Sequence, residues 1–304
     1  MSKFSKLVRT PKLFFKDAIN KRNKNHSRKP LEINENSSSI AKKTIKSTPD
    51  LFNYKYTNKK THLVIIDDIH GNHPFKQKLV NYQLRSIKKY TDFSDVTYIS
   101  DSLDSRSKSI KSFTTYDEFH SNVVSNISPQ REFFVFINLN FIFLQNVRHN
   151  SFIDEYGRSY TFMKRSNGYE EIIHTAINKI NGEFDYNFTP IENFCCIDNM
   201  TLNHYYKIKS DFSDISDFIF KFLPVINVLH TSSDNIIKSP VQFAYLSGGY
   251  EEKFVWLQSV HGSKKCPIGV TFNKMTTNTD DYEKFLSSIV PHSEKEDNLV
   301  KVRA

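Results

Sequence analysis

The sequence predicts an α/β domain, a mostly parallel sheet flanked by helices, preceded by a basic N-terminal helical arm. Three observations predict it. Short apolar runs of strand length alternate with segments of helical period. The early runs each end in a carboxylate or an amide. The positive charge is concentrated at one end of the chain. Of the 304 residues, 1–60 hold 16 Lys/Arg against 4 Asp/Glu, a balance of +12, while the remaining 244 hold 26 against 29, a balance of −3.

The arm comes first. Thr10 can cap a short helix, and Pro11 suits its first position, where a missing N–H costs nothing. Pro11, Phe14, Phe15, Ala18, Ile19 and Arg22 share one face, bordered by Lys12, Lys16 and Lys21. Such a helix either docks on its own domain or lies in a membrane interface. Met1 to Arg22 has no apolar h-region or small-residue cleavage site, so it does not read as a secretory signal. Residues 23–60 are polar and read as a linker, which gives an arm and linker over 1–60, a domain over 61–291 and a polar tail over 292–304.

The domain opens with the apolar run from His62 to Ile66, a buried strand ending in Asp67-Asp68. Phe75, Leu79, Tyr82, Ser86 and Ile87 keep a 3.6 period and predict a helix. Val96 to Ile99 is a second strand, followed by Asp101. Residues 115–126 read as helical, and Glu132 to Ile137 as a third, central strand. Tyr169 to Ile180 and Ser213 to Phe222 read as helices. Phe194 to Ile197, Phe243 to Leu246 and Phe254 to Leu257 read as further strands. No run reaches the ~18 apolar residues of a membrane span. The 26 Phe and 15 Tyr supply a substantial core. Cys195, Cys196 and Cys266 have neither the number nor the spacing of a disulfide framework or a zinc site, which fits a reducing compartment.

Ligands of parallel α/β sheets gather at the carboxyl ends of the strands. Asp67, Asp68 and Asp101 are therefore candidates for nucleoside contact. Asn138 and Asn140 follow the third strand and carry side-chain oxygens of the kind that can hold a hard divalent ion such as Mn²⁺ or Mg²⁺. An Asn carbonyl can ligate such an ion, but without charge. His261-Gly262-Ser263-Lys264 sets an imidazole that can ligate a metal and a lysine charge beside a glycine that lets backbone come close. Glu192 and Asp198 bracket the strand from Phe194 to Ile197 and are candidate bases toward an acceptor hydroxyl, with Asp185 a third. The adjacent cysteines read as small core residues.

Lys6-Leu7-Val8-Arg9-Thr10-Pro11-Lys12-Leu13-Phe14-Phe15-Lys16-Asp17 resembles a short element, K-L-x-R-N/D-P-x-x-F-F-x-D, that opens many Gram-negative capsule and lipopolysaccharide glycosyltransferases. Here Thr10 stands at the usual Asn or Asp. Asn81 to Tyr90 and Phe133 to Leu144 are similar to the first two blocks of Stealth-type capsule sugar-phosphate transferases, with Asn138-Leu139-Asn140 in place of their Asn-Asp-Asp. The resemblance implies a GT-A-like fold and transfer from a nucleotide-sugar donor to a glycan or lipid-linked acceptor of a surface polysaccharide. It implies the cytoplasmic face of the inner membrane, reached through residues 1–22 and the membrane surface or capsule-assembly proteins. GT-A enzymes carry Asp-x-Asp where this chain has Asn138-Leu139-Asn140.

Two other readings stand beside it. Asp68-Ile69-His70-Gly71-Asn72 and Asp101-Ser102-Leu103-Asp104-Ser105-Arg106 resemble the first two metal motifs of calcineurin-like metallophosphoesterases. Ser100 replaces the glycine of the second, and the later Gly-His-x-His is absent from the sequence. A non-catalytic capsule-assembly protein with a degenerate transferase fold is the other. Nucleic acid is not an expected partner, because the domain itself is slightly acidic and carries no RRM, KH or helix-turn-helix pattern.

Overall fold

The computed structural model describes residues 60–67, 75–93, 95–105, 110–127, 132–148, 151–154, 156–165, 170–182, 188–230, 237–238, 243–246, 250–272, 279–290 and 300–302. The basic arm and most of the linker lie outside them.

Five strands form the main sheet: β1 (Thr61–Ile66), β2 (Val96–Ile99), β4 (Ile110–Phe113), β5 (Phe133–Asn138) and β9 (Phe194–Asp198). Their order is β4-β2-β1-β5-β9, parallel throughout except for β9, which runs antiparallel to β5. Helix α1 (Lys76–Tyr90) crosses from β1 to β2. The chain later returns to the other side of β1 as β5, so the winding reverses between β1 and β5. The chain is thus an α/β protein with a mostly parallel sheet.

Every residue of β5 is buried, and so are all but the first of β1. Alternation sends their side chains to two separate cores. Leu63, Ile65, Phe133, Val135 and Ile137 face one side, which they share with Leu79, Ile87, Phe254, Leu257 and Phe285. Val64, Ile66, Phe134 and Phe136 face the other, with Phe119, Ile173, Leu202, Phe218 and Ile226. The first layer comprises α1, α6 (Tyr250–Val260) and α7 (Thr279–Ile289), and the second α2 (Tyr116–Asn122), α3 (Glu171–Lys179), α4 (Asn199–Tyr205) and α5 (Leu223–His230). A sheet covered on both faces needs fully apolar strands, and these strands comply.

Smaller strands extend the frame. Strand β7 (Thr161–Arg165) lies between β8 (Phe188–Pro190) and β10 (Ile237–Lys238), and β12 (Gly269–Phe272) lies between β6 (Phe141–Phe143) and β11 (Phe243–Leu246). Strand β3 (Leu103–Ser105) pairs with β13 (Val300–Val302), so the segment expected to be a polar tail contributes a strand. The alternating Val300 and Val302 are the β-formers responsible.

Two further expectations change. Phe254 to Leu257, expected as a strand, lies inside α6. Phe254 and Leu257, three residues apart, point inward, while Val255 and Trp256 are 65% and 48% exposed. A two-residue period would have put Phe254 and Trp256 on one face, so burial selects the helical spacing. The helix expected to end at Phe222 continues instead as α5 through Pro224. A wide turn over Asp217–Phe222 accommodates the proline, with the Leu223 N–H reaching back five residues to the Phe218 carbonyl. Pro224 has no N–H to give, and a wider turn absorbs the missing bond.

Gly269 on β12 faces the ring of Phe141, and a Cβ there would run into that ring. Gly269→Ala should therefore cost about 1–3 kcal/mol through overpacking. Urea unfolding monitored by circular dichroism measures it, and an unchanged midpoint would mean the ring has room to yield.

Candidate functional site

A helix that crosses between two parallel strands must run antiparallel to them. The first residues of α1 therefore lie at the carboxyl edge of the sheet, and Tyr90 lies at the amino edge, about 21 Å away. This separation decides which expected site residues can meet.

Asp67 ends β1 at the carboxyl edge, with its N–H bonded to the Ile99 carbonyl across β2. Its Oδ2 accepts from Lys76 Nζ at 2.5 Å, Ser100 Oγ at 2.5 Å and Ser102 Oγ at 3.2 Å. Lys76 also donates to Ser102 Oγ. The side chains of Lys76 and Asp67 are 0% and 3% exposed. About two turns along α1, Gln83 donates to the carbonyls of Asn138 and Phe141 at 2.9 and 3.1 Å, and its Oε1 accepts from Tyr98 Oη. Burial pushes the Tyr98 hydroxyl well above its ordinary pKa, and the charge of Asp67 adds to this. Both Lys76 and Gln83 lie on the helical stripe that carries Leu79 and Ile87. The period in the sequence includes them, but reading only its apolar members passes them over.

A cavity of about 560 Å³ opens at this edge, lined by Asp67, Ser100, Asp101, Thr115, Asp117, Lys209 and residues 212–215. Its volume is within the usual range for small-molecule sites, roughly 300–1,000 Å³. Asp101 is exposed in the turn after β2. Thr115 caps α2 by accepting from the Glu118 N–H. Asp117 accepts from Lys209 Nζ at 2.7 and 2.8 Å and from Tyr206 Oη at 2.7 Å. Those hydrogen bonds, from Lys209 first, hold the Asp117 carboxyl below its ordinary value. Tyr206 is pushed up to about 12 by burial and by Asp117, and it stacks on His120 at 3.6 Å. Burial in turn lowers the His120 pKa. This network ties the 206–211 turn to α2 and fixes the outer wall of the cavity.

The other expected residues are dispersed. Asn138 ends β5, next along the edge from Asp67, and is 1% exposed, donating its amide to Asn193 Oδ1 at 2.5 Å. Asn193 has a positive φ of 76°, a conformation Asn tolerates in tight turns. Asn140 is buried in the turn that follows. Glu192 stands beside Asn193 at the same edge, 51% exposed, with Lys164 at 3.5 Å. Asp198 pairs with Phe133 and so lies at the amino edge. There it caps α4, accepting from the N–H groups of Met200 and Thr201 and from Thr201 Oγ1. His261 Nε2 lies 2.9 Å from Tyr90 Oη, also at the amino edge, and burial followed by the Lys89 charge lowers its pKa. Lys264 follows in an exposed turn.

Asn138, Asn140 and His261 therefore do not converge on one point. Among the described residues no three His, Cys, Asp or Glu side chains are placed to hold a metal ion. Asp68, His70, Gly71, Asn72, Arg106 and Asp185 lie outside the described residues, and Asp104 is described only through its pairing with Lys301. The three cysteines are buried, and burial raises their thiol pKa values. They are core residues. No described helix is long and apolar enough to cross a membrane.

Lys76→Ala leaves Asp67 buried without its cation and should cost about 3–5 kcal/mol, whereas the double change Lys76→Met/Asp67→Leu should lose much less. Urea unfolding of both variants checks this, and equal losses would refute the charge argument. Asp198→Ala should cost about 1–2 kcal/mol as a lost cap, with Asp198→Asn closer to wild type because an acceptor oxygen remains. Thermal denaturation of the pair reads it.

Neither a known family model nor a curated protein matches this sequence.

Proposed function

We propose that the chain binds a nucleotide sugar along the carboxyl edge of its sheet and transfers the sugar to an acceptor of a surface polysaccharide. The observation that carries this reading is the cavity at the ends of β1, β2 and β4, beside the point where the winding reverses, which is where open α/β sheets bind ligands. Along that edge Asp101 follows β2, Asp67 follows β1, Asn138 ends β5 and Glu192 precedes the antiparallel β9, in the spatial order of the strands. Strand spacing of about 4.8 Å gives a row about 15 Å from end to end.

In this reading the nucleoside occupies the cavity, with Asp101 accepting from its hydroxyls. Lys209, rather than Lys264 at the opposite edge, offsets phosphate charge. Glu192 is the base, since the oxygens of Asp198 are engaged in capping. The bond from the sugar C1 to the phosphate oxygen breaks, and the acceptor oxygen bonds to C1. Its proton passes to Glu192, and the nucleoside diphosphate leaves. The divalent ion implied by the resemblance enters only as a variable of the test. Residues 1–22 would bring the domain to the inner face of the inner membrane or to capsule-assembly proteins, in keeping with the arm's charge.

A thermal-shift and calorimetric screen of UDP- and CMP-sugars, with and without Mn²⁺, tests the proposal. At least one donor should bind, and Asp101→Ala should weaken it about tenfold, the effect of one lost hydrogen bond to a charged group. Failure of every donor, or full affinity in Asp101→Ala, would remove the transferase reading.

A further inference from the structure

A second recess of about 320 Å³ lies at the opposite, amino edge of the sheet, lined among others by Lys60, His62, Lys111, Asn126 and Glu132. Lys60 precedes β1, and Lys111 is on β4. Glu132 precedes β5, its N–H held by Asn199 Oδ1 at 3.1 Å. Three strand starts and the end of the helical turn after α2 thus shape the hollow without help from the cavity at the other edge.

Two lysines, Lys60 and Lys111, and one carboxylate, Glu132, line it. Glu132 is buried and engaged with His62, whose ring stacks on Phe134. The other ring nitrogen of His62 lies 3.7 Å from Asp95, and Lys60 lies 3.3 Å from the same carboxylate. Both carboxylates near the recess therefore have basic partners. Lys111 is exposed, and among the described residues no carboxylate pairs with it. The carbonyls at the end of α2 are capped by neighbouring side chains: Asn122 donates to Glu118 O, and Asn126 to Ser121 O and Asn122 O. This capping blunts the negative helix end that would otherwise repel an anion.

We propose that this recess is an anion site that takes a phosphate group, either free or as a small monoester, between Lys111 and Lys60. Two ammonium groups over a polar hollow suit a compact oxyanion, which needs several charge-assisted donors and little apolar wall. The position differs from the nucleotide cavity in every residue, so the two sites are separable by mutation.

Calorimetry of the full chain with inorganic phosphate at low salt is the test. Wild type should bind, binding should weaken as salt rises, and Lys111→Ala should lose about tenfold in affinity while Lys111→Arg keeps most of it. Lys78→Ala, on α1 outside both cavities and paired with Glu283, should leave phosphate affinity unchanged. Absence of binding to wild type, full affinity in Lys111→Ala, or loss in Lys78→Ala would overturn the proposal. Glycerol 3-phosphate in solution and phosphatidic acid in phosphatidylcholine vesicles separate a free ester from a lipid headgroup. Binding of either that depends on Lys111 supports the site, and binding of both regardless of Lys111 rejects it. Nucleotide-sugar binding by Lys111→Ala is measured in parallel, so failure of one site does not count against the other.

Discussion

Lys76 and Asp67 form an ion pair with almost no access to solvent, at the place where β1 ends and α1 begins. Two opposite charges so deeply buried are tolerable only if their remaining hydrogen-bonding capacity is met. Ser100 and Ser102 do this for Asp67 from the end of β2, and Ser102 also serves Lys76. The pair thus binds three elements together: the strand that carries Asp67, the helix that carries Lys76 and the turn that carries Asp101. Hydrophobic burial is non-directional and would allow the helix to slide along the sheet. A charge pair with two serine partners sets a definite position, and the cavity beside it inherits that geometry.

The same helix surface repeats the device further along. Gln83 holds the backbone carbonyls of Asn138 and Phe141, and Ser86 receives the Phe143 N–H. These groups lie where β5 turns into β6, a bend whose backbone polar atoms would otherwise be buried without partners. A helix stripe of purely apolar residues would have packed as well and satisfied none of them. Polar residues inside this core therefore mark where the chain changes direction, and the carboxyl edge of the sheet is built from such changes of direction.

Much of the fold was readable because its central strands are buried on both faces. The runs from Leu63 to Ile66 and from Phe133 to Ile137 have no polar member, and only a covered parallel sheet accommodates that pattern. The elements that escaped reading lie where short segments are ambiguous. Phe254 to Leu257 has the composition of a strand, and only contact with Tyr282 and Phe285 on α7 shows which two of its four residues face inward. Pro224 looks like a helix stop, yet the wide turn before it lets the helix continue. Val300 and Val302 sit in a polar context, and the partner of the strand they form, β3, lies about 200 residues earlier in the chain.

The candidate site was readable in part, for a geometric reason. Position at a strand end can be inferred from sequence, and Asp67, Asp101 and Asn138 all lie at the carboxyl edge. Which edge a residue outside the parallel strands reaches depends on the direction of its element, and local sequence does not carry that direction. Asp198 follows an apolar strand just as Asp67 does, but β9 is antiparallel, so the same local pattern delivers its carboxylate to the amino edge. There it meets the start of α4 and becomes a cap. Glu192, at the start of β9, is carried by the same reversal to the carboxyl edge beside Asn193 and Asn138. One antiparallel strand therefore sends two acidic residues six positions apart to opposite edges, and of the pair that brackets β9 only Glu192 stands at the carboxyl edge.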